Sequence, residues 1–141
     1  MELLVVFAIL GLLAALTPLA YEKIQRATEY RALVRTAMAD LRHARNTAMA
    51  SGVDARFEID LANRRFGIQG GAMRSVPPTL NVKMIVAGQE ITPQQKGVIR
   101  FMPRGGSTGG TLEIVRANGV GVRLTVDWFS GRVTQQALTP A

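Results

Sequence analysis

Residue types that support catalysis or metal binding are sparse in this sequence. It contains no cysteine, so no disulfide, thiolate metal site or cysteine nucleophile can form. The single histidine, His43, would have to serve any Ser-His-Asp triad, and a histidine-rich zinc site is excluded. No second catalytic candidate lies at helical spacing beside His43, and this predicts a surface or seam position for it.

Carboxylates in the C-terminal part of the chain are scattered and form no Asp-x-Asp-x-Asp-Gly loop, so calcium binding is not predicted. A glycine-rich segment at residues 104–110 lacks the lysine of a phosphate-binding loop and precedes a strand pattern rather than a helix, so it is interpreted as a flexible hairpin loop. These patterns predict no enzyme, no cofactor and no metal. The carboxylates in question are Asp54, Glu58, Asp60, Glu90, Glu113 and Asp127.

The most unusual charge is Glu2, because 18 uncharged residues, 3–20, follow it. As a helix they would span about 27 Å, enough for the core of a bilayer. Eleven of them are Leu, Ile, Val or Phe, which favours insertion by roughly 3 to 7 kcal/mol against at most about 3 kcal/mol for Glu2. We therefore predict a transmembrane segment over residues 1–20. A cleaved signal is a poorer fit because the start is acidic and the apolar run is long. A buried core helix is a poorer fit because the rest of this short chain could hardly enclose a helix that is apolar on all sides.

Pro18 interrupts this apolar run and removes one backbone donor. Membrane helices tolerate proline when neighbouring groups satisfy the freed carbonyl. The sequence therefore predicts a helix kink or local melting at Pro18.

Residues 21–52 predict an amphipathic stem that continues the same helix. Apolar residues recur at alternating steps of three and four, which is typical of a helix with one buried face. Gly52 is a plausible terminator, and the helix from residue 3 to 51 would be roughly 74 Å long. The predicted seam consists of Ile24, Ala27, Tyr30, Val34, Ala37, Leu41, Ala44 and Ala48.

Residues 53–141 predict a β-rich head, because the periodicity changes to short alternating runs separated by turn residues. Ala117-Asn118-Gly119 is typical of a tight turn between two strands. In the strand that follows, Val122, Leu124 and Val126 alternate with polar residues, which predicts one buried face. The fold class is thus α+β, a long N-terminal helix packed on a small antiparallel β-sheet head. Strands are predicted at 54–60, 64–68, 80–87, 97–101, 111–116, 120–126 and 132–135, with a loop through Gly70, Gly71, Pro77 and Pro78.

The net charge of +7 suits anionic partners without choosing among lipid headgroups, nucleic acid and acidic proteins. Most basic side chains of the stem are expected on a solvated face, with a few ion pairs one helical turn apart. Lys23 and Arg26 follow the apolar segment directly, so lipid headgroup contact is the functional alternative for these two.

Several segments resemble the type IV pilins and the pseudopilins of type II secretion. Residues 2–15 resemble their N-terminal signature, which normally reads Phe-Thr-Leu-Ile-Glu before an apolar run, with Glu2 on the characteristic glutamate and Pro18 near the helix-breaking proline. Residues 40–52, 99–110 and 124–133 are similar to the H-type minor pseudopilins, the GspH/FimT family. The resemblance covers nearly the whole chain and implies a pilin-like fold.

The resemblance implies a single-pass inner-membrane protein with its head in the periplasm, methylated at its N-terminus. Family precursors begin with a basic leader that is cut before the Phe-Thr-Leu-Ile-Glu signature, whereas here Met1 directly precedes Glu2. We expect a start codon placed too late or a trimmed sequence. The positive-inside rule applied to Lys23 and Arg26 would orient the chain the other way, a conflict with the family arrangement that we adopt.

In the family the conserved glutamate meets the N-terminal amine of a neighbouring subunit, which implies that Glu2 fixes axial register during assembly. A carboxylate in hydrocarbon needs such a partner because burying it alone is costly. The simpler alternative is that Glu2 sits at headgroup level.

Two functions follow from the resemblance. The first is a minor pseudopilin of a type II secretion pseudopilus, a structural subunit that acts in assembly and tip formation, with other pseudopilins, membrane lipid and secreted cargo as partners. The alternative is a minor pilin that binds DNA for uptake, with Arg132, Arg104 and Arg123 as anion contacts. DNA-binding relatives share a Gly-Arg-x-Arg element, and Gly131-Arg132-Val133-Thr134 lacks its second arginine. Secretion is therefore placed first.

Overall fold

The computed structural model describes residues 2–87, 89–90 and 94–140. Met1 and the side chain of Glu90, both named above, lie outside the described residues. One long helix, α1, runs from Glu2 to Ser51 and is followed by short strands. The α+β prediction of a long N-terminal helix followed by a β-rich head is confirmed.

Helix α1 ends where the sequence predicts. Gly52 adopts φ +71°, a left-handed conformation that glycine adopts without a Cβ penalty, and its N–H donates to the Ala48 carbonyl at 3.1 Å. The turn stops the helical ladder and redirects the chain into the first strand.

Within the described residues, nine strands form two antiparallel sheets, where the sequence predicted a single small one. The first sheet has the order β3-β2-β1-β6 and the second the order β5-β4-β7-β8-β9. Two short strands, β3 and β5, were not predicted because a run of two or three residues carries no readable alternation. The strands are β1 Ala55–Asp60, β2 Arg65–Ile68, β3 Met73–Ser75, β4 Leu80–Val86, β5 Gln89–Glu90, β6 Lys96–Phe101, β7 Gly110–Arg116, β8 Gly121–Val126 and β9 Val133–Leu138.

The predicted tight turn and the alternation in β8 are confirmed. The glycine-rich segment at residues 104–110 is not a hairpin loop as predicted, because it lies between β6 of the first sheet and β7 of the second, which do not pair. Strands β1 and β2 pair with Asp60 opposite Arg65. The turn between β7 and β8 places Gly119 at φ +84°, with the Arg116 N–H donating to the Val120 carbonyl at 2.9 Å. In β8 the predicted apolar positions are buried, so one face of the strand points to the core.

The stem half of α1 packs against both sheets through its apolar seam. Its buried residues are small or aliphatic, which lets the backbone of the helix approach the strands. Leu33 joins the seam although the sequence did not single it out, and Ile24 does not, being 65% exposed. An ion pair of 3.3 Å between Arg74 and Asp40 adds a polar link at the edge of the first sheet. The buried helical residues are Leu33, Val34, Ala37, Leu41, Ala44 and Ala48.

Candidate functional site

The N-terminal part of α1, residues 3–20, makes no contact that buries it. Its most apolar 18-residue window has a mean hydropathy of 2.6 and is 0% buried, so it is long and apolar enough to cross a membrane and is not a core helix of the head. Glu2 is the first residue of α1 and is exposed. Its carboxylate is well placed there because the N-terminal end of a helix carries partial positive charge.

Pro18 lies inside α1, which is continuous from Glu2 to Ser51. The predicted local melting is therefore wrong, since proline removes a single hydrogen bond and the helical ladder on either side suffices to keep the conformation. The predicted kink stays a prediction.

A second candidate surface lies on the head, far from the N-terminal part of α1, where two loops contact the last turns of the helix. We call it the distal loop site and define it by residues 102–107, residues 127–132, Arg45 and Met49. Arg45 is half-buried, and its Nε donates to the Ser130 carbonyl at 3.1 Å. Arg45 thus ties the loop after β8 to the helix.

The loop after β8 is closed by its own first residue. The Asp127 carboxylate accepts hydrogen bonds from the Ser130 N–H at 2.7 Å and from the Ser130 hydroxyl at 2.8 Å. These bonds, with the positive charge of Arg132 nearby, hold the pKa of Asp127 below its usual value, although partial desolvation acts in the opposite direction. The ionised carboxylate therefore stabilises the loop.

Ser107 joins the two loops to each other. Its N–H donates to the Trp128 carbonyl at 2.8 Å, and its hydroxyl donates to the Asp127 carbonyl at 2.9 Å. The same hydroxyl accepts the Gly109 N–H at 2.9 Å. Ser107 is 3% exposed, so these bonds are shielded from water and fix the relative position of the loops.

Two aromatic side chains project from this fixed backbone into solvent. Trp128 is 69% and Phe129 77% exposed, and their rings meet edge to face with centroids 5.7 Å apart. They border a shallow groove of about 830 Å³ that Arg45, Met49 and Arg104 also line. Exposed neighbouring aromatics beside arginine are typical of protein contact surfaces.

The three arginines predicted as anion contacts are not brought together as one set. Arg123 pairs with Glu113 across β7 and β8 at 2.8 Å, so its charge is neutralised on the sheet. Arg104 and Arg132 are exposed on the two loops of the distal loop site. None of the three has a tested role, and anion contact stays a prediction for each.

The glycine-rich loop uses its amides within the protein. The N–H groups of Gly105 and Thr108 donate to the Met102 and Arg100 carbonyls at 3.0 and 2.9 Å. With the Ser107 and Gly109 amides also engaged, these four donors are not free to cradle a phosphate. His43 is exposed on the stem, as predicted. Within residues 2–87, 89–90 and 94–140, no three His, Asp or Glu side chains cluster closely enough to hold a metal ion.

Sequence reasoning missed the exposed aromatic pair and the Arg45 tether. A signal for the pair was present, because Trp128 and Phe129 stand between Asp127 and Ser130-Gly131, residues typical of a turn, and turn residues seldom bury large side chains. No sequence signal marks Arg45, which lies 85 positions from its partner Ser130.

Comparison with known proteins places the chain in a family. Residues 33–131 match the sequence profile of the family described as type II transport protein GspH. The type II secretion system protein H of Xanthomonas campestris pv. campestris is 32% identical over 142 residues, which cover 100% of this chain and 83% of that protein.

Solved structures of similar fold include a minor pseudopilin and a type IV minor pilin. The minor pseudopilin EpsH from the type 2 secretion system of Vibrio cholerae superposes with a TM-score of 0.60 at 20% identity, covering 77% of this chain and 97% of EpsH. The type IV minor pilin FimU of Pseudomonas aeruginosa has a TM-score of 0.57 at 18% identity, covering 82% of this chain and 91% of FimU. At these identities the likeness shows a common fold.

Proposed function

Because the chain belongs to the GspH family of type II transport proteins, we propose that it is a minor pseudopilin, a structural subunit of a type II secretion pseudopilus. It takes part in assembly and tip formation and thereby in protein export. The observation that carries this proposal is the division of α1 into an exposed apolar half and a half whose six buried residues belong to the core of the head.

The exposed half requires a partner, because a monomer in water would leave a large continuous apolar surface uncovered. A bilayer covers it before assembly, and the equivalent helices of neighbouring subunits cover it in a filament. We place the protein in the inner membrane as a single-pass protein with the head in the periplasm, following the family arrangement. The fold and the roughly 27 Å length of residues 3–20 support the membrane stage.

Glu2 is the proposed assembly contact. It begins a helix whose next 18 residues are uncharged, so in the packed core of a filament its carboxylate would lie among apolar side chains. Burying an unpaired carboxylate is costly in free energy. Pairing with the N-terminal amine of a neighbouring subunit would offset this cost only at one axial register. Such pairing would therefore select the position of each subunit along the filament.

The distal loop site is the proposed contact for the next pseudopilin towards the tip or for secreted cargo. Arg45 and Met49 lie about 37 and 43 Å beyond residue 20 along α1, so this surface faces away from the membrane. The loop backbone that carries its aromatic pair is fixed by hydrogen bonds, which lowers the backbone entropy lost on binding.

The comparisons do not favour the alternative, a minor pilin that binds DNA. The ion pair of Arg123 with Glu113 and the missing second arginine after Arg132 also speak against it.

The proposal is tested by cross-linking in a cell that lacks the chromosomal copy of this gene and carries the full-length precursor. Because the chain has no cysteine, Ile9→Cys provides a single reactive site on the exposed helix. Disulfide cross-links to a co-expressed pseudopilin with a cysteine in the corresponding helix are expected, together with restored secretion. Glu2→Ala should insert into the membrane normally but lower the cross-link yield about tenfold or more, a loss of at least about 1.4 kcal/mol.

The matched control is Leu4→Ala, which shortens an exposed side chain of the same helix and keeps the charge of Glu2. It should cross-link nearly as well as the parent. Equal cross-linking of Glu2→Ala and the parent would contradict the role of Glu2, and absence of any cross-link in the parent would contradict the pseudopilin function itself.

A further inference from the structure

A notch opens between α1 and the head just beyond the apolar half of the helix. It is lined by Lys23 and Arg26 of α1, by residues 79–80 at the start of β4 and by residues 116–118 at the β7–β8 turn. Its volume is about 450 Å³. Three of the seven lining residues are cations, so the notch is strongly basic.

The notch exists because the face of α1 that packs on the head carries basic instead of apolar side chains near residues 23–26. Lys23 and Arg26 precede Tyr30 and Ala37 at steps of three, four and seven residues, so all four share the helix face that packs on the head. Ala37 is 1% exposed, whereas Lys23 and Arg26 are exposed. Lys23 and Arg26 therefore occupy positions at which apolar side chains would have packed against the head and filled the notch.

The positive charge of the notch is weakly compensated. Arg26 faces Glu22 at 3.7 Å, but both side chains are about two-thirds exposed, where an ion pair contributes little. Among the described residues, no carboxylate lies within 4.0 Å of the charged groups of Lys23 and Arg116. The Arg116 guanidinium lies 5.3 Å from the ring centroid of Tyr30, a contact that holds this cation at the notch.

The height of the notch matches the headgroup layer of a membrane. Lys23 and Arg26 lie about 4.5 and 9 Å beyond residue 20 along the helix. The polar layer on each side of a bilayer core is about 5–8 Å thick. When residues 3–20 span the core, the notch faces lipid phosphates.

We propose that this notch binds the phosphate of an anionic membrane lipid, such as phosphatidylglycerol. The lysine and arginine side chains that line the notch would donate to the phosphate. The bound lipid keeps the head in contact with the membrane surface until the subunit leaves the bilayer. This inference depends on the membrane insertion contained in the proposed function.

The test measures lipid retention by the full chain with native mass spectrometry, after purification in mild detergent and titration with phosphatidylglycerol or phosphatidylcholine. The wild-type chain should retain phosphatidylglycerol in preference to phosphatidylcholine. A cation near a membrane surface is worth about fivefold in affinity, so Lys23→Gln with Arg26→Gln should weaken phosphatidylglycerol retention about 25-fold. The matched control pair, Arg35→Gln with Arg42→Gln, removes the same charge from exposed positions about 22 and 33 Å beyond residue 20. This pair should retain phosphatidylglycerol as well as the wild type does.

Insertion is measured separately, by flotation of the chain with vesicles. A chain that inserts but retains both lipids equally would overturn the lipid site and leave the proposed function standing, as would equal losses in the notch pair and the control pair. Unchanged lipid retention in the notch pair, combined with lost cross-linking to a partner pseudopilin, would show that the notch docks a protein instead. A chain that does not insert would overturn the proposed function and this inference together.

Discussion

Gly131 is the position where the distal loop site is most sensitive to a single methyl group. It adopts φ +65°, and a Cβ built there would lie 2.2 Å from the Gly105 carbonyl oxygen and 3.1 Å from the Arg45 Nε. Both neighbours are constrained, since the Gly105 N–H donates to Met102 at 3.0 Å and the Arg45 Nε donates to Ser130. Gly131→Ala must therefore move the loops apart or release Arg45.

The expected cost has two parts. A left-handed conformation costs a residue with a Cβ about 1–2 kcal/mol. Relieving the overlap with the Gly105 carbonyl costs about 1–3 kcal/mol more, as overpacking of a well-packed site does. The free energy of unfolding of the head should thus fall by about 2–5 kcal/mol.

Gly70→Ala separates the two parts. Gly70 adopts φ +83°, but a Cβ there meets nothing within 4 Å, so this variant carries the backbone strain without the overlap. Urea unfolding of the full chain in mild detergent, followed by near-ultraviolet circular dichroism, gives both values. With a slope of about 2 kcal/mol per molar urea, the midpoint of Gly131→Ala should lie about 0.5–1.5 M below that of Gly70→Ala. Equal midpoints for the two variants would refute the close packing of the two loops.

Two further predictions concern the carboxylate at the loop and the seam of the stem. Asp127→Ala should lower the urea midpoint at neutral pH because it removes both hydrogen bonds to Ser130. Since the folded-state pKa of Asp127 is depressed, its stabilisation is present above the unfolded value of about 3.9 and is lost as pH falls through the folded value. The difference between variant and wild type should therefore be constant above about pH 5 and shrink below pH 4, and a difference that persists at low pH would contradict this. Leu41→Ala, at a position 0% exposed, should cost the head about 2–5 kcal/mol in the same assay. Leu19→Ala, at a position 65% exposed, should leave the unfolding of the head unchanged, and similar losses in both would argue against the division of α1.

The helix and most strands could be predicted because their signals are local. The three-and-four spacing through Val34, Ala37 and Leu41 predicts a buried helical face, and these residues are buried. The alternation of β8 likewise predicts its buried face. The division of the strands between two sheets depends on pairings such as β1 with β6, which join residues some 40 positions apart and leave no local pattern.

Of the two candidate sites, the one at Glu2 has a local sequence signal and the distal loop site as a whole has none. Glu2 stands out in the sequence because its charge precedes an uncharged run, and it begins the exposed helix as expected. The distal loop site could not be assembled in advance, because Arg45, Ser107 and Trp128 come from three distant segments that only the folded chain brings together. Local melting at Pro18 was wrong because the missing donor is one bond in a long helical ladder.

The arrangement of α1 suggests how the membrane end and the distal end act on each other. The helix is continuous over 50 residues, about 75 Å, and six of its buried residues belong to the core of the head. Because those residues pack against both sheets, an axial shift of the apolar half carries the head with it instead of bending a linker. Arg45 and Met49 lie on the same helix, so the axial register that we propose Glu2 selects would also set the axial position of Trp128 and its loop. A subunit whose apolar half shifted along the helix axis would therefore misplace the distal loop site by the same distance, and the proposed pairing at Glu2 would align both ends of the subunit.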